Sequence, residues 1–361
     1  MPLSETSPPP GDVPSTAAAD ASGKTLGLVL INDFSMIAFT SLIEPLRLAN
    51  HVSGERLYDW RLYSVDGEPV RASNRLRLSV DGSIADIGPM PHVVVCSGLD
   101  VGRQPLGNLV AKLRRLAFYG VAIGAVCTGA HVLARAGLLD GYRATVHWEN
   151  QQAMREEFPN LSITDELFEI DRNRFTCAGG TAAIDMMLSM IAARHGPALA
   201  AKVTDELIHH RMRAPHERQR MELRTRLGVS NPKVLSVVGL MERTLEEPLS
   251  CAALAREAKL SPRQLERLFK RYLDETPTRY YLELRLERAR VLLMQTSMPV
   301  LSVGLACGFV SASHFSKCYH EHFGLTPSEE RFGPRPSAGK RRRPRRATND
   351  NAPAQDAAAS V

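Results

Sequence analysis

Hydrophobic residues along this chain keep one rhythm up to Gly196 and another beyond it. In the first stretch, short apolar runs alternate with longer segments whose apolar residues recur every three or four positions. "KTLGLVLI" (24–31), "HVVVCSG" (92–98) and "VAIGAV" (121–126) lack a polar face, as strands buried on both sides do. "FSMIAFTSLIEPLRLAN", "PLGNLVAKLRRLAFYG" and "TAAIDMMLSMIAARHG" have helical spacing, the last two stopped by Gly120 and Gly196. "WRLYSVDGEPVRAS" predicts a hairpin turning at Asp66-Gly67, and "LFEIDRNRFTCAGG" predicts one turning between Asp171 and Arg174. Strands alternating with helices in this way imply an α/β domain with a largely parallel sheet.

Beyond Gly196 the strand pattern is gone. Residues 198–213 predict a helix closing the first domain, 214–231 are polar and charged enough for a linker, and 232–332 read as helix throughout. This helical third contains a repeat with an offset of 50 residues. Ser261 matches Ser311, Leu265 matches Phe315, Phe269 matches Tyr319, and Thr276-Pro277 matches Thr326-Pro327. In the first unit Ser261 is placed to cap a helix, Pro262 suits its first position and Gln264 completes a capping box. Leu265, Leu268, Phe269 and Tyr272 make one apolar stripe; Arg263, Gln264, Arg267 and Arg271 lie opposite. In the second unit Phe315, Tyr319 and Phe323 form the stripe, with Ser313, His314, Lys317 and His320 outside it. The flanking segments, 1–23 and 333–361, are rich in Pro, Ser and Ala or in Pro and Arg and predict disorder.

Charge sharpens the division. Residues 211–346 hold 27 Lys and Arg against 14 Asp and Glu, a balance of +13, while the whole chain stands at +6, leaving −7 for the remainder. A basic third on a mildly acidic body points to nucleic acid as a partner. A short helix, a tight turn and a second helix with a polar, basic outer face is the geometry that enters a DNA major groove. Arg and Gln pair bidentately with base edges, and Lys neutralises phosphate. The long helix expected over "YYLELRLERARVLLMQTS" would set the distance between the two units. No apolar run is long enough for a membrane span and the N-terminus lacks a secretory pattern, so a cytoplasmic protein is expected. The six cysteines have neither CxxC nor zinc-finger spacing with histidine, so no metal is expected; no cofactor is expected either.

The helical third resembles the DNA-binding domain of the AraC/XylS regulators over about 100 residues. The resemblance rests on "LAREAKLSPRQLERLFKRYLDETPTRYYLELRLERARVLL" and "ACGFVSASHFSKCYHEHFGLTPSEER". It implies DNA contacts from Arg263, Gln264, Arg267 and Arg271 of the first unit and Ser313, His314 and Lys317 of the second. Asp274 stands where the family often has Gly, and Gly304 where it often has Ala.

Residues 24–213 resemble the DJ-1/PfpI branch of the class I glutamine-amidotransferase-like fold through "VVVCSG", "GAVCTGAHVLARAGLLDGYRATVHW" and "TCAGGTAAIDMML". The two halves together resemble the GlxA-type regulators. "SLIEPLRLAN", "ATVHWEN" and "SASHFSK" are most like members controlling glycine betaine, carnitine or arginine catabolism. The resemblance implies a homodimeric activator that binds promoter DNA, responds to an amino acid or quaternary amine, and contacts RNA polymerase. The alternative is a cysteine-dependent hydrolase or hydratase fused to a DNA-binding domain.

Cys127 stands where a strand turns into a helix, a position expected to lower a thiol pKa and to offer backbone N–H groups to an anion. Three readings stay open for it: a pocket wall, a small residue required by the turn, or a nucleophile with His147 as its base. In this superfamily's enzymes a carboxylate after the first strand usually orients the cysteine. Here Ile37 or Ala38 falls at that place, Asp33 precedes it and Glu44 follows it. Thr128, His147, Trp148, Glu149, Gly179 and Gly180 are the other candidate pocket residues, the indole face suiting a quaternary ammonium and Glu149 its charge. Trp148 as core, Glu149 as a solvated charge and His147 as a bonded strand-end residue are the alternatives.

Overall fold

The computed structural model describes residues 24–296 and 298–333; the segments expected to be disordered, 1–23 and all but the first residue of 333–361, lie outside them. Strand β1 (Thr25–Leu30) is buried along its whole length because it has a partner on each edge and helices on each face. It pairs in parallel with β2 (Asp59–Ser64) and β6 (His92–Cys96). The sheet continues through β7 (Ala122–Val126) and β11 (Arg174–Cys177), both parallel, to β10 (Phe168–Asp171), antiparallel at one edge; β5 (Gly82–Ser83) ends the other edge. Period-two alternation sends Leu26, Leu28 and Leu30 to one core and Val29 and Ile31 to the other. The first core is closed by α1 (Met36–Ser53), α5 (Ala182–His195) and α6 (Pro197–Glu206), the second by α2 (Gly107–Phe118) and α3 (Gly129–Arg135).

The hairpin expected at Asp66-Gly67 does not form. Gly67 does turn the chain with φ 87, but β2 adds to the parallel sheet beside β1, and β3 (Val70–Arg71) pairs with β4 (Arg77–Leu78) instead. The hairpin between Asp171 and Arg174 forms as read. A small parallel pair, β8 (Arg143–Thr145) with β9 (Ser162–Thr164), frames α4 (Gln151–Glu157).

The helix expected over 198–213 stops at Glu206. The reason is polar. Buried Asp185 accepts from His209 at 3.1 Å, from the Arg213 backbone N–H at 2.7 Å and from the Arg213 guanidinium at 2.6 Å. A helix could not bring all three donors to one carboxylate. The expected linker includes a short helix, α7 (Leu223–Leu227).

From Asn231, whose side chain caps it, α8 (Pro232–Arg243) opens an all-helical unit. It continues through α9 (Cys251–Glu257), α10 (Pro262–Leu273), α11 (Pro277–Gln295), α12 (Val300–Ala306), α13 (Ala312–Phe323) and α14 (Pro327–Phe332). The 50-residue repeat is realised: α10 and α13 start and end 50 residues apart, as do the starts of α11 and α14. Each begins at the Ser or Thr that caps it, and Gln264 and Glu329 close capping boxes. Two cores result. Leu265 and Phe269 pack with α8 and α9, whereas Phe315 and Tyr319 pack with the second half of α11 and with α12. Among the described residues no helix is long and apolar enough to cross a membrane.

Candidate functional site

Strand β7 ends at Val126, and the chain reverses at Cys127, whose φ of 58 lies in the left-handed region that a side chain rarely adopts. Two glycines permit this elbow. A Cβ on Gly129 would fall 2.4 Å from the Val95 carbonyl oxygen, and one on Gly179 would fall 2.7 Å from the Cys127 Cβ. Thr128 is buried, and its hydroxyl donates to the Gly98 carbonyl at 2.6 Å. Gly179 is buried and its backbone N–H serves the Cys177 thiol; Gly180 sits beside it in a left-handed turn. Thr128 and Gly179 are thus already committed to the elbow.

The expected activation of Cys127 is not found. Burial pushes its thiol up to about 11; the Thr128 backbone N–H works against this and the Glu149 carboxylate adds to it. Helix α3 has only seven residues, and burial outweighs what its terminus supplies. The first-strand acid is also absent from the elbow. Ile37 is exposed and Ala38 buried. Asp33 pairs with Arg71 at 3.0 Å, and Glu44 pairs with Arg47 at 2.7 Å. Glu149, from the segment after β8, is the carboxylate that acts on the thiol. Among the described residues no hydrogen bond joins Cys127 to His147. The His147 ring is 3.7 Å from Glu149 and lies tilted against Trp148, 5.4 Å between centroids, and burial lowers its pKa.

The face of Trp148 is taken. The Arg220 guanidinium lies over the indole, 4.0 Å from its centroid. Arg220 belongs to the segment that was expected to be a solvated linker. Its neighbour Gln219 donates to Thr145 Oγ1 at 3.0 Å, the Val146 carbonyl at 3.2 Å and the Glu166 carbonyl at 2.8 Å. Residues 219–220 therefore lie across the strand end that carries His147, Trp148 and Glu149. No local pattern announces this; a Gln and an Arg in a charged run look like solvent-facing residues.

In the helical unit the expected DNA-facing residues stand outward. Arg263, Gln264, Arg267 and Arg271 on α10, and Ser313, His314 and Lys317 on α13, are all exposed. Gln264 Oε1 accepts the Ser261 N–H at 2.8 Å, so its cap role holds half of its amide. His314 leans back on Cys318 at 3.3 Å and on Phe309, whose ring centroid is 5.9 Å away. Lys317 is loosely matched by Glu321 at 3.9 Å. Asp274 closes α10 with φ 57, where Gly324 closes α13 with φ 74. Gly304 is small for a reason: a Cβ there would reach Phe315 at 3.1 Å.

Comparisons with known proteins agree with this arrangement. The DJ-1/PfpI family model matches residues 27–193, and a helix-turn-helix domain model matches 254–332. The chain is 46% identical over 320 residues to the HTH-type transcriptional regulator GbdR of Pseudomonas aeruginosa, covering 89% of this chain and 87% of that one. It is 47% identical over 303 residues to the HTH-type transcriptional regulator CdhR of the same species (84% and 90% covered). To the HTH-type transcriptional regulator GlxA of Rhizobium meliloti it is 36% identical over 308 residues (85% and 95%). The chain belongs to the GlxA-type transcriptional regulators.

In this GlxA-type regulator the α/β and helical units are tied along two seams, the first through the linker and the second directly, neither of which the sequence pattern announced. On the first, Arg220 reaches Glu242 of α8 at 3.9 Å, and Arg226 holds the same carboxylate at 2.6 Å. On the second, α4 and the loop after β6 meet α11. Arg288 pairs with Glu156 at 2.6 Å, both largely buried, and Arg103 donates to the Leu293 and Glu330 carbonyls at 3.3 Å. Asn150 donates to Gln295, and Ala153 joins the core of the second helix-turn-helix unit. Asn150 also donates its backbone N–H to the His147 carbonyl at 2.8 Å, so the segment bearing His147, Trp148 and Glu149 is two bonds from α11.

Proposed function

We propose that this DNA-binding regulator answers to a small quaternary amine or amino acid with a cationic head, of the glycine betaine, carnitine or arginine class. The compound sits against Cys127, His147, Trp148 and Glu149, with Thr128, Gly179 and Gly180 shaping the elbow behind it. The single observation that carries this reading is the guanidinium at 4.0 Å over Trp148, within Coulombic reach of Glu149. An aromatic face and a carboxylate side by side, already holding a cation, are the chemistry that binds a quaternary ammonium or a guanidinium. Residues 24–213 act as sensor and dimerisation domain, 214–231 as linker and 232–332 as reader of promoter DNA. Arg263, Gln264, Arg267, Arg271, Ser313, His314 and Lys317 supply the base and phosphate contacts. A cytoplasmic homodimer that contacts RNA polymerase and activates catabolic genes for its effector completes the reading.

The cysteine senses and does not turn over substrate. A thiol held near 11, with no base bonded to it among the described residues, is almost wholly protonated at neutral pH and is a poor nucleophile. The test is calorimetric titration of the full chain with glycine betaine, carnitine and L-arginine, beside Cys127→Ala. At least one compound binds the wild type, and the variant still binds it. No heat from any of the three overturns the reading; consumption of the compound by the wild type and not by Cys127→Ala restores the enzyme.

A further inference from the structure

The cation on Trp148 is part of the chain itself. We propose that Arg220 is a built-in occupant of the effector's cation site, and that the effector binds by displacing it and so frees the segment leading into the DNA-binding domain. The inference rests on the function proposed above and adds a competitor to it.

Three observations support it. First, the competitor is seated as a ligand would be: guanidinium over indole at 4.0 Å, with the Glu149 carboxylate within Coulombic reach. A second cation cannot use that face while Arg220 lies on it. Second, the seat is incompletely satisfied. Gln219 makes three donor contacts with its amide nitrogen, but its carbonyl oxygen is buried with no partner among the described residues. Two of the three acceptors are carbonyls, so the amide cannot flip to satisfy that oxygen. An unpaired buried acceptor weakens the seated state relative to one in which water reaches it. Third, the released segment has somewhere to send the change. Arg220 also faces Glu242 of α8, 3.9 Å away, next to Arg226 on the same carboxylate. Moving Arg220 off Trp148 alters what holds the first helix-turn-helix unit. The same effector contacts bear on residues 147–149, and Asn150 passes a shift there to Gln295 at the end of α11. Both units are thus reached from one site.

Competition within the chain lowers apparent affinity by the fraction of molecules in which the site is open. Removing the internal cation therefore tightens binding; for a contact of the cation–aromatic kind the gain is about three- to thirtyfold.

The experiment compares wild type, Arg220→Gln, Arg220→Lys and Trp148→Leu as full chains. Glycine betaine is titrated calorimetrically, and L-arginine serves as a second probe. The proposal expects Arg220→Gln to bind tighter by that factor, Arg220→Lys to stay near wild type because it keeps a cation, and Trp148→Leu to lose binding. A ligand-free readout stands beside it. In a Trp60→Phe background Trp148 is the sole indole of the chain, and adding Arg220→Gln increases its quenching by acrylamide. If the probes bind wild type but Arg220→Gln binds them equally or more weakly, displacement is overturned and the proposed function survives. If no probe binds wild type or Arg220→Gln, the proposed function falls and displacement falls with it. Unchanged Trp148 quenching in a folded Arg220→Gln chain overturns the seating of Arg220 whatever the ligand does.

Discussion

Cys127 shows how far position and chemistry can part. Its left-handed backbone, the two glycines that make room for it and the histidine and tryptophan that follow are the outward form of an activated thiol. The environment is the reverse: burial first, and then the Glu149 carboxylate, outweigh the Thr128 N–H and raise the pKa to about 11. At pH 8 only about a thousandth of the thiol is thiolate. Iodoacetamide should therefore alkylate Cys127 slowly at pH 7–8, with a rate that climbs about tenfold per pH unit until the pH nears 11. Peptide mass spectrometry of the chain containing Cys127 checks this, and rapid labelling at pH 7 would show a lowered pKa. The elbow itself was legible, because Gly, Cys and Thr between a strand and a helix leave few other arrangements. The partners of Trp148 were not, since Arg220 lies 72 positions away in a run whose charges suggest solvent.

At the scale of elements, what is encoded locally is legible in the sequence. Ser-Pro-x-Gln and Thr-Pro each satisfy orphan N–H groups within one helical turn, so α10, α11, α13 and α14 begin where the residues say. The failures are those of pairing and of tertiary polar bonding. Asp66-Gly67 is a good turn, but whether the next strand folds back or moves on is decided by the open edge of β1. The end of α6 is decided by Asp185, 21 residues before it. The same local logic yields a prediction. Lys259 sits two residues past the end of α9 with φ 54, the place that Gly308 takes after α12 with φ 74. Lys259→Gly removes the left-handed penalty and should stabilise the first helix-turn-helix unit by roughly 0.5–1 kcal/mol. Chemical denaturation measures it; a loss of stability would mean that the Lys259 side chain contributes more than its backbone costs.

At the scale of the whole molecule, the Arg220–Glu242 and Asn150–Gln295 contacts and the Arg288–Glu156 pair tie the segment carrying Trp148 and helix α4 to the helical unit. The split into two units was legible from the change of hydrophobic period and the charge asymmetry. Their docking was not, because each contact joins residues more than 20 positions apart that look solvent-facing alone. On the DNA side, Arg267→Ala should weaken binding to a selected duplex by roughly 1–3 kcal/mol and relax preference at one base pair if the guanidinium reads guanine. An equal loss on random duplex makes it a phosphate contact.

On the function proposed above, a cation at Trp148 governs DNA binding. Fluorescence anisotropy of the full chain on a duplex selected from random sequence, with and without saturating glycine betaine, tests it most directly. Affinity for that duplex should change roughly fivefold or more, Trp148→Leu should not respond, and Arg220→Gln without ligand should lie on the ligand-bound side of wild type. Superimposable curves with and without glycine betaine, carnitine and L-arginine, in wild type and Arg220→Gln alike, would contradict it.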